Sequence, residues 1–573
     1  MNGKWVVRDI DSGLAAWVHA RTGSPLLSRA VEVASAAEGE GHACALLDAF
    51  DEAEIEALHS HAWVGDGNAF SPFVLDAARG RFWLWRNWRH EQRLADALRA
   101  RCAASGPPLP RGLVDPAIDI LFAGSDARRT GDQRTAVAAV PGSRLFVLTG
   151  GPGTGKTSTV VRMLLMLLCH ATTCGLPLRP SIALAAPTGK AARHLAAAIA
   201  RGKAELAARL PEGSAFTDLL AAIPHEQAAT LHRLLGYRPH SNGFAYGKHQ
   251  SLPADIVVVD EASMVDLAMM RQLVDALAPS SVLVLLGDPD QLASVDAGSV
   301  LADIVAGARS GASPLRANVV ALREVWRAGG SLQASLAAIR EGDAGWTTNA
   351  ADAAQGIVLR ECSDAKALHA RIDAWLERRA EAHARLFGHI DAEAAFTLLR
   401  ETQVLCALRD GPFGASGVNA RIVEMLAVRC GFDATRAWYH GRPVVVTRND
   451  YAHGLFNGDV GIALDGADGL RVWFQGGTRD GGGWRSFPPR VLTACETAWA
   501  ITIHRSQGSE YDDVAVVLPP EAEHRLLSRE LLYTAVSRAR RGVELWATPE
   551  ALQAALARRV TRHGGLVDRL AAA

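Results

Sequence analysis

A lysine and a threonine close a glycine-rich turn, two adjacent carboxylates end an apolar run, and a glutamine and an arginine follow in later motifs. Side chains of these types can hold, polarise and cleave a phosphoanhydride. The lysine and threonine are Lys156 and Thr157, and they complete the pattern G-x-x-x-x-G-K-[ST] begun at Gly150. The stretch Gly150, Gly151, Pro152, Gly153, Thr154, Gly155, Lys156, Thr157 and Ser158 lets backbone N–H groups converge on a phosphate with no Cβ in the way. The helix that begins there adds its partial positive charge. Lys156 then reaches the β- and γ-phosphates, and the Thr157 hydroxyl is placed to ligate Mg²⁺. These residues imply a nucleoside-triphosphate site.

Asp260 and Glu261 end the run Asp255-Ile-Val-Val-Val-Asp-Glu. The first can hold Mg²⁺ opposite Thr157, and the second can polarise an attacking water. Val282-Leu-Val-Leu-Leu-Gly-Asp-Pro-Asp-Gln carries Asp288 and Gln291 into a turn, where a glutamine can sense a γ-phosphate or position water. Arg538, in Leu531-Leu-Tyr-Thr-Ala-Val-Ser-Arg, can neutralise charge on a transferring phosphoryl group if a second domain delivers it. Its neighbours Arg540 and Arg541 have a simpler use as partners of carboxylates. Gln133, just before the first strand, can present donor and acceptor to an adenine edge. Thr188, in Ala185-Ala-Pro-Thr-Gly-Lys, is expected at the carboxyl end of a strand, where open parallel sheets bind ligands.

Short aliphatic runs followed by helical periodicity are the elements that position these groups. Leu145–Leu148, Ile182–Ala186, Ile256–Val259 and Val282–Leu286 alternate with helical segments and predict a parallel α/β sheet. A second α/β set starts at Thr402 and resumes at Ala498. Between them, short strands separated by Asn457-Gly, Asp465-Gly and Gly481-Gly-Gly predict a small β-barrel inserted at about 440–492. The expected organisation is a mainly helical N-terminal domain over 1–110, a first α/β domain over 111–330 and a second over 331–573.

The composition, 49% hydrophobic and 21% charged with a net charge of -1, is that of a globular protein with large cores. Near-neutral charge excludes a global basic field, so any nucleic-acid contact must come from local grooves. Eight cysteines form no C-x₂-C pair, which argues against zinc or iron–sulfur sites and for a reducing, cytoplasmic setting. No uncharged apolar run reaches the roughly 20 residues that cross a membrane. In the N-terminal region, Arg81-Phe-Trp-Leu-Trp-Arg-Asn-Trp-Arg-His mixes tryptophans with arginines. Three readings stay open there: stacking on bases, a protein interface, or core plus a solvated face. His42 and Cys44 read as structural rather than as metal ligands.

These motifs together resemble the superfamily-1 helicases. GGPGTGKTS, APTGKAA, VVVDEASM, LLGDPDQL, ITIHRSQGSEYD and LLYTAVSRARR match that superfamily's motifs in order, and Gln133 fits its adenine-reading glutamine. The nearest likeness is to the RecD family, the alpha subunits of RecBCD enzymes (exodeoxyribonuclease V), through TLHRLLGYRP, VLCALRDGPFG and GRPVVVTRNDYAHGLFNGDVGIAL. The likeness implies two RecA-like domains closing on ATP and Mg²⁺, with Arg538 and Arg327 (the motif IV arginine) acting across the cleft. It also implies 5′→3′ translocation on single-stranded DNA and unwinding of double-stranded ends for recombinational repair. The implied partners are RecB- and RecC-like subunits, with the nuclease centre in RecB. Thr188, His232, Thr502 and His504 become the expected grips on the DNA backbone. Two rivals remain at this stage: a regulatory ATPase subunit and an RNA helicase.

Overall fold

The computed structural model describes residues 6–106, 109–225, 228–238, 243–311, 313–325, 330–346, 356–450, 452–476 and 483–572. At the centre of the first lobe lies a six-stranded sheet in the order Val319–Leu322, Leu145–Gly150, Val282–Gly287, Ile256–Val259, Ile182–Ala186, Ala228–Thr230. Every pairing in it is parallel. A parallel sheet covered on both faces needs near-continuous apolar strands, and these runs are apolar except for Thr149 and Thr230 near their carboxyl ends. Successive side chains point to opposite faces, so each run is shared between two cores. Phe146, Leu148, Ile256, Val258, Val284 and Leu286 meet the helices Lys156–Cys169 and Gly189–Ala207 on one face. Leu145, Val147, Val257, Val259, Leu283 and Leu285 meet Leu267–Ala276 and Val300–Arg309 on the other.

The second lobe repeats the plan with five parallel strands in the order Ile357–Glu361, Ala539–Ala547, Tyr511–Val517, Thr402–Cys406, Ala500–Thr502. Its insert is antiparallel, in the order Trp484–Phe487, Gly469–Gln475, Val460–Gly466, Pro443–Val446, Cys495–Thr497. The insert has its own core of Val444, Val446, Leu455, Ala463, Val472 and Phe474. Phe487 and Cys495, on the two end strands, both pack against that core, but no ladder among the described residues pairs those strands. In its hydrogen bonding the insert is a five-stranded antiparallel sheet whose two end strands share one core.

The N-terminal region, expected to be mainly helical, also holds a small sheet. Helices Asp9–Thr22, Pro25–Gly39 and Glu52–His59 are joined by a four-stranded sheet that lies among them. Its order is Ala45–Leu46, Arg81–Leu84, Phe73–Asp76, Val64–Gly65. Two of these strands are two residues long, too short to show alternation. Within the chain, the Trp/Arg segment packs inward at Trp83, which is buried and donates to Glu91, and Trp85 stacks on Trp88 with centroids 5.2 Å apart. Arg569 lies over Trp88 at 5.0 Å.

Helix Trp85–Ala103 contributes Leu94 and Leu98 to the same core as the first-lobe strands. The C-terminal helix Leu566–Ala571 joins it with Leu566 and Leu570. The chain thus returns to the first lobe after building the second.

Candidate nucleotide site between the two lobes

The strand Leu145–Gly150 breaks into its loop because Gly153 and Gly155 adopt φ of 74° and 80°, where a side chain is strained. Gly150 is needed for space: an added Cβ would lie 2.6 Å from Thr154 Oγ1 and 3.0 Å from the Leu322 carbonyl. Thr154 Oγ1 donates to the Gly151 carbonyl at 2.9 Å, which tightens the turn. Lys156 Nζ donates to the carbonyls of Gly150 and Gly151 at 2.6 and 3.0 Å. The buried Gln133 amide donates to the Thr154 carbonyl at 3.3 Å, so the proposed adenine reader lies against the loop. Thr157 is half-buried in the first turn of helix Lys156–Cys169, and Ser158 Oγ donates to the Gly155 carbonyl at 2.9 Å.

Two strands away, Asp260 Oδ1 accepts from the Glu261 N–H at 2.8 Å. Burial and the charge of Glu261 push the Asp260 carboxyl up to about 6, against the pull of Lys156. Lys156 and the two carboxylates therefore share one electrostatic environment. Glu261 has φ of 52°, the only positive value outside glycine among the described residues. A left-handed glutamate costs roughly 1–2 kcal/mol, and strain of this kind is held where function requires a fixed side-chain direction.

The turn after Val282–Gly287 carries the contacts to the second lobe. Asp288, 2% exposed, accepts from Tyr533 Oη at 3.0 Å and from Gln291 Nε2 at 3.2 Å. Gln291 Oε1 accepts from Arg538 Nη2 at 3.0 Å. Arg538, 4% exposed, is held on its own side by the Thr534 carbonyl at 3.1 Å, Ser537 Oγ at 2.9 Å and the Ser509 carbonyl at 3.4 Å. The same turn is fastened by its backbone: Leu292 N–H donates to Thr534 Oγ1 at 2.9 Å, and its carbonyl accepts from Gln507 at 3.2 Å. Tyr533 also faces the phosphate loop, since a Cβ on Gly151 would lie 3.0 Å from its hydroxyl.

One hydrogen-bonded chain thus runs Tyr533–Asp288–Gln291–Arg538 across the cleft beside the loop. Tyr533 is its unexpected member, and Asp288, which the sequence places in the same turn as Gln291, is the carboxylate it meets. A tyrosine inside an apolar helix is the signal that points to Tyr533, because its buried hydroxyl must find a partner. Arg540 and Arg541 pair with Glu510 and with Asp512 and Asp513, as their simpler reading has it. Arg327 lies outside the described residues.

The four expected DNA grips follow carboxyl ends of strands in both lobes. Thr188 and His232 come after the neighbouring first-lobe strands Ile182–Ala186 and Ala228–Thr230, and Thr502 and His504 close an edge strand of the second. Each also has local work. Thr188 Oγ1 caps helix Gly189–Ala207 by accepting from the Ala191 N–H at 3.2 Å, and Thr502 Oγ1 accepts from Arg505 N–H at 3.4 Å. His232 packs against Tyr237 and Phe244, and burial lowers its pKa. His504 is lowered by burial and by Arg562. Beside them, contacts not foreseen in the sequence join the lobes: Lys190 to Ser509, Arg193 to Asp459, and Gly189 packed directly on the Phe456 ring.

The AAA domain family matches residues 133–297, and the UvrD-like helicase C-terminal domain matches 497–545. The RecBCD enzyme subunit RecD of Mycolicibacterium smegmatis is 40% identical over 87% of this chain and 84% of its own. The chain belongs to the RecD family. The RecD subunit of Haemophilus influenzae is 33% identical over 76% of this chain and 72% of its own. The ATP-dependent RecD2 DNA helicase of Deinococcus radiodurans is 31% identical over 88% of this chain and 61% of its own. Among solved structures, Bacteroides Pif1 bound to ssDNA is 17% identical, with a TM-score of 0.37 over 73% of this chain and 91% of that one. No helix among the described residues of this RecD-family chain is long and apolar enough to cross a membrane. No cluster of three or more His, Cys, Asp or Glu among the described residues is arranged to hold a metal by itself.

Proposed function

We propose that this RecD-family chain is an ATP-dependent superfamily-1 DNA helicase, the 5′→3′ motor subunit of a RecBCD-type exodeoxyribonuclease V. In this reading it assembles with RecB- and RecC-like subunits in the cytoplasm and unwinds double-stranded ends for break repair. The observation that carries the motor is the chain from Arg538 through Gln291 and Asp288 to Tyr533, ending against Gly151 of the phosphate loop. It makes the nucleotide site and the lobe interface one structure.

ATP binds with its phosphates in the loop of Gly150, Gly151, Pro152, Gly153, Thr154, Gly155, Lys156, Thr157 and Ser158, and with adenine against Gln133. The Thr157 hydroxyl and the Asp260 carboxylate are hard oxygen donors that suit Mg²⁺, which when bound neutralises charge on the phosphate oxygens. Glu261 takes a proton from water as its oxygen attacks the γ-phosphorus, and the bond to the β–γ bridging oxygen breaks, releasing ADP and phosphate. Lys156 moves from the loop carbonyls to the phosphate, and Arg538, from the second lobe, stabilises the developing negative charge together with Arg327. Gln291 reports the γ-phosphate to Arg538, so its loss weakens closure. Thr188, His232, Thr502 and His504 hold the strand alternately on the two lobes. The insert, a small barrel in this reading, braces the first lobe through Asp459 and Phe456.

The test uses the assembled complex with the RecB-like motor disabled. Lys156→Gln and Arg538→Ala each abolish DNA-stimulated ATP hydrolysis and unwinding without releasing the subunit. Unwinding at the unsubstituted rate by either variant refutes the reading, and equal action on RNA duplexes removes the DNA assignment.

A further inference from the structure

The second lobe ends in helix Pro549–Ala557, and the chain stays on that lobe through Val560. Arg558 Nη1 donates to the His524 carbonyl at 2.6 Å, and Val560 N–H donates to Glu530 at 2.9 Å. From Arg562 onward it belongs to the first lobe and the N-terminal region. The His563 carbonyl accepts from Ala43 N–H at 2.8 Å, and Gly565 N–H donates to the buried Glu91 at 2.9 Å. Thr561 alone separates the two anchorages.

Arg562 is held by a socket. Its Nη1 donates to the carbonyls of Asp296 and Gly298 at 2.7 and 2.9 Å, and its Nη2 donates to the Ser294 carbonyl at 2.5 Å. These carbonyls belong to the turn that begins at Gln291. Behind the guanidinium stands Gly41, with φ of 89°, where a Cβ would lie 2.6 Å from Arg562 Cζ. The Gly41 carbonyl accepts from Gly298 N–H at 2.9 Å and closes the socket. A planar fork gripping several carbonyls fixes orientation as well as position.

We infer that Arg562 is a positioning residue for hydrolysis: it holds the 294–298 turn, and with it Gln291, to the first lobe at the point where the second lobe pivots. Leu292 is fastened to the second lobe through Thr534 and Gln507, so the turn is gripped from both sides. Without the Arg562 grip the turn keeps the bond from Leu267 N–H to the Ala297 carbonyl at 3.0 Å but loses its main anchor against the pull of the second lobe, and Gln291 reports the γ-phosphate against a looser frame. This inference rests on the assignment of Gln291 to the nucleotide site.

The test measures DNA-stimulated ATP hydrolysis by the full chain in its complex, for Arg562→Ala, Arg562→Lys, Gly41→Ala and Gln291→Ala. Arg562→Ala is expected to lower kcat about tenfold, with the ATP KM within about twofold, the pattern of a lost transition-state contact. Arg562→Lys, whose ammonium still reaches carbonyls, restores most of kcat. Gly41→Ala, which pushes the guanidinium from behind, reproduces the loss. Wild-type kcat in Arg562→Ala, or in Gly41→Ala if the former does not assemble, overturns the inference. So does a loss that only tracks the fraction assembled. If Gln291→Ala is impaired while Arg562→Ala is not, this inference alone fails; wild-type kcat in Gln291→Ala removes the site reading itself.

Discussion

Replacing Tyr533 by Phe deletes one hydroxyl and keeps the ring in the core of the second lobe. The hydroxyl donates across the cleft to Asp288, which is 2% exposed. A hydrogen bond to a buried carboxylate is worth roughly 1.5–3 kcal/mol. Asp288 keeps two other donors, Gln291 Nε2 at 3.2 Å and Asp290 N–H at 3.1 Å, so the lower end of that range applies. About 1.4 kcal/mol is a factor of ten in an equilibrium constant. Closure of the cleft, and with it kcat/KM for ATP, should therefore fall about tenfold in Tyr533→Phe. Burial and the charge of Asp288 hold the hydroxyl proton well above the usual tyrosine range, so the deficit should be constant from pH 6 to 9. The assay is steady-state ATP hydrolysis with saturating single-stranded DNA, alongside pull-down of the partner subunits. A kcat/KM within about twofold of the parent, with assembly intact, would show that the Tyr533–Asp288 contact does not govern closure.

Lys156→Gln removes the cation that bonds Gly150 and Gly151; hydrolysis and the motor should be lost while co-purification with the partners is unchanged. Glu261→Gly should separate stability from activity. Relief of about 1–2 kcal/mol of left-handed strain is offset in part by glycine's roughly 0.5–1 kcal/mol entropic cost, so the variant should melt no lower than the parent and be at most about 1.5 kcal/mol more stable. Turnover should drop by about 10²–10⁴ with the general base gone. Asp303→Asn should change the pH dependence of stability. Burial and the charge of Glu91 raise the Asp303 carboxyl to about 7, so between about pH 4 and 7 the folded chain holds a proton that the unfolded chain has released. Stability from this group therefore falls as pH rises through that window. The variant should be more stable than the parent at pH 8, by on the order of 4 kcal/mol at most, and by less than half of that at pH 5; equal stability differences at both pH values would refute the assignment.

The sequence alone determined every element whose cause is local. Glycines at 153 and 155 permit the left-handed turn that ends the strand, and the aliphatic runs around it are near-continuously apolar, as strands covered on both faces must be. The order of loop, acidic pair, glutamine turn and arginine was legible because each motif lies within a few residues of its own strand. The tertiary structure decided what pairs across distance. Tyr533 meets Asp288 from 245 positions away, Arg538 meets Gln291 from 247, and Arg562 meets Ser294 from 268. No periodicity carries such partners, because they depend on where two lobes and a returning C-terminal segment come to rest. The two-residue strands of the N-terminal sheet and the left-handed backbone of Glu261 were equally hidden. A strand that short shows no alternation, and a strained glutamate is held only by surroundings that the fold supplies.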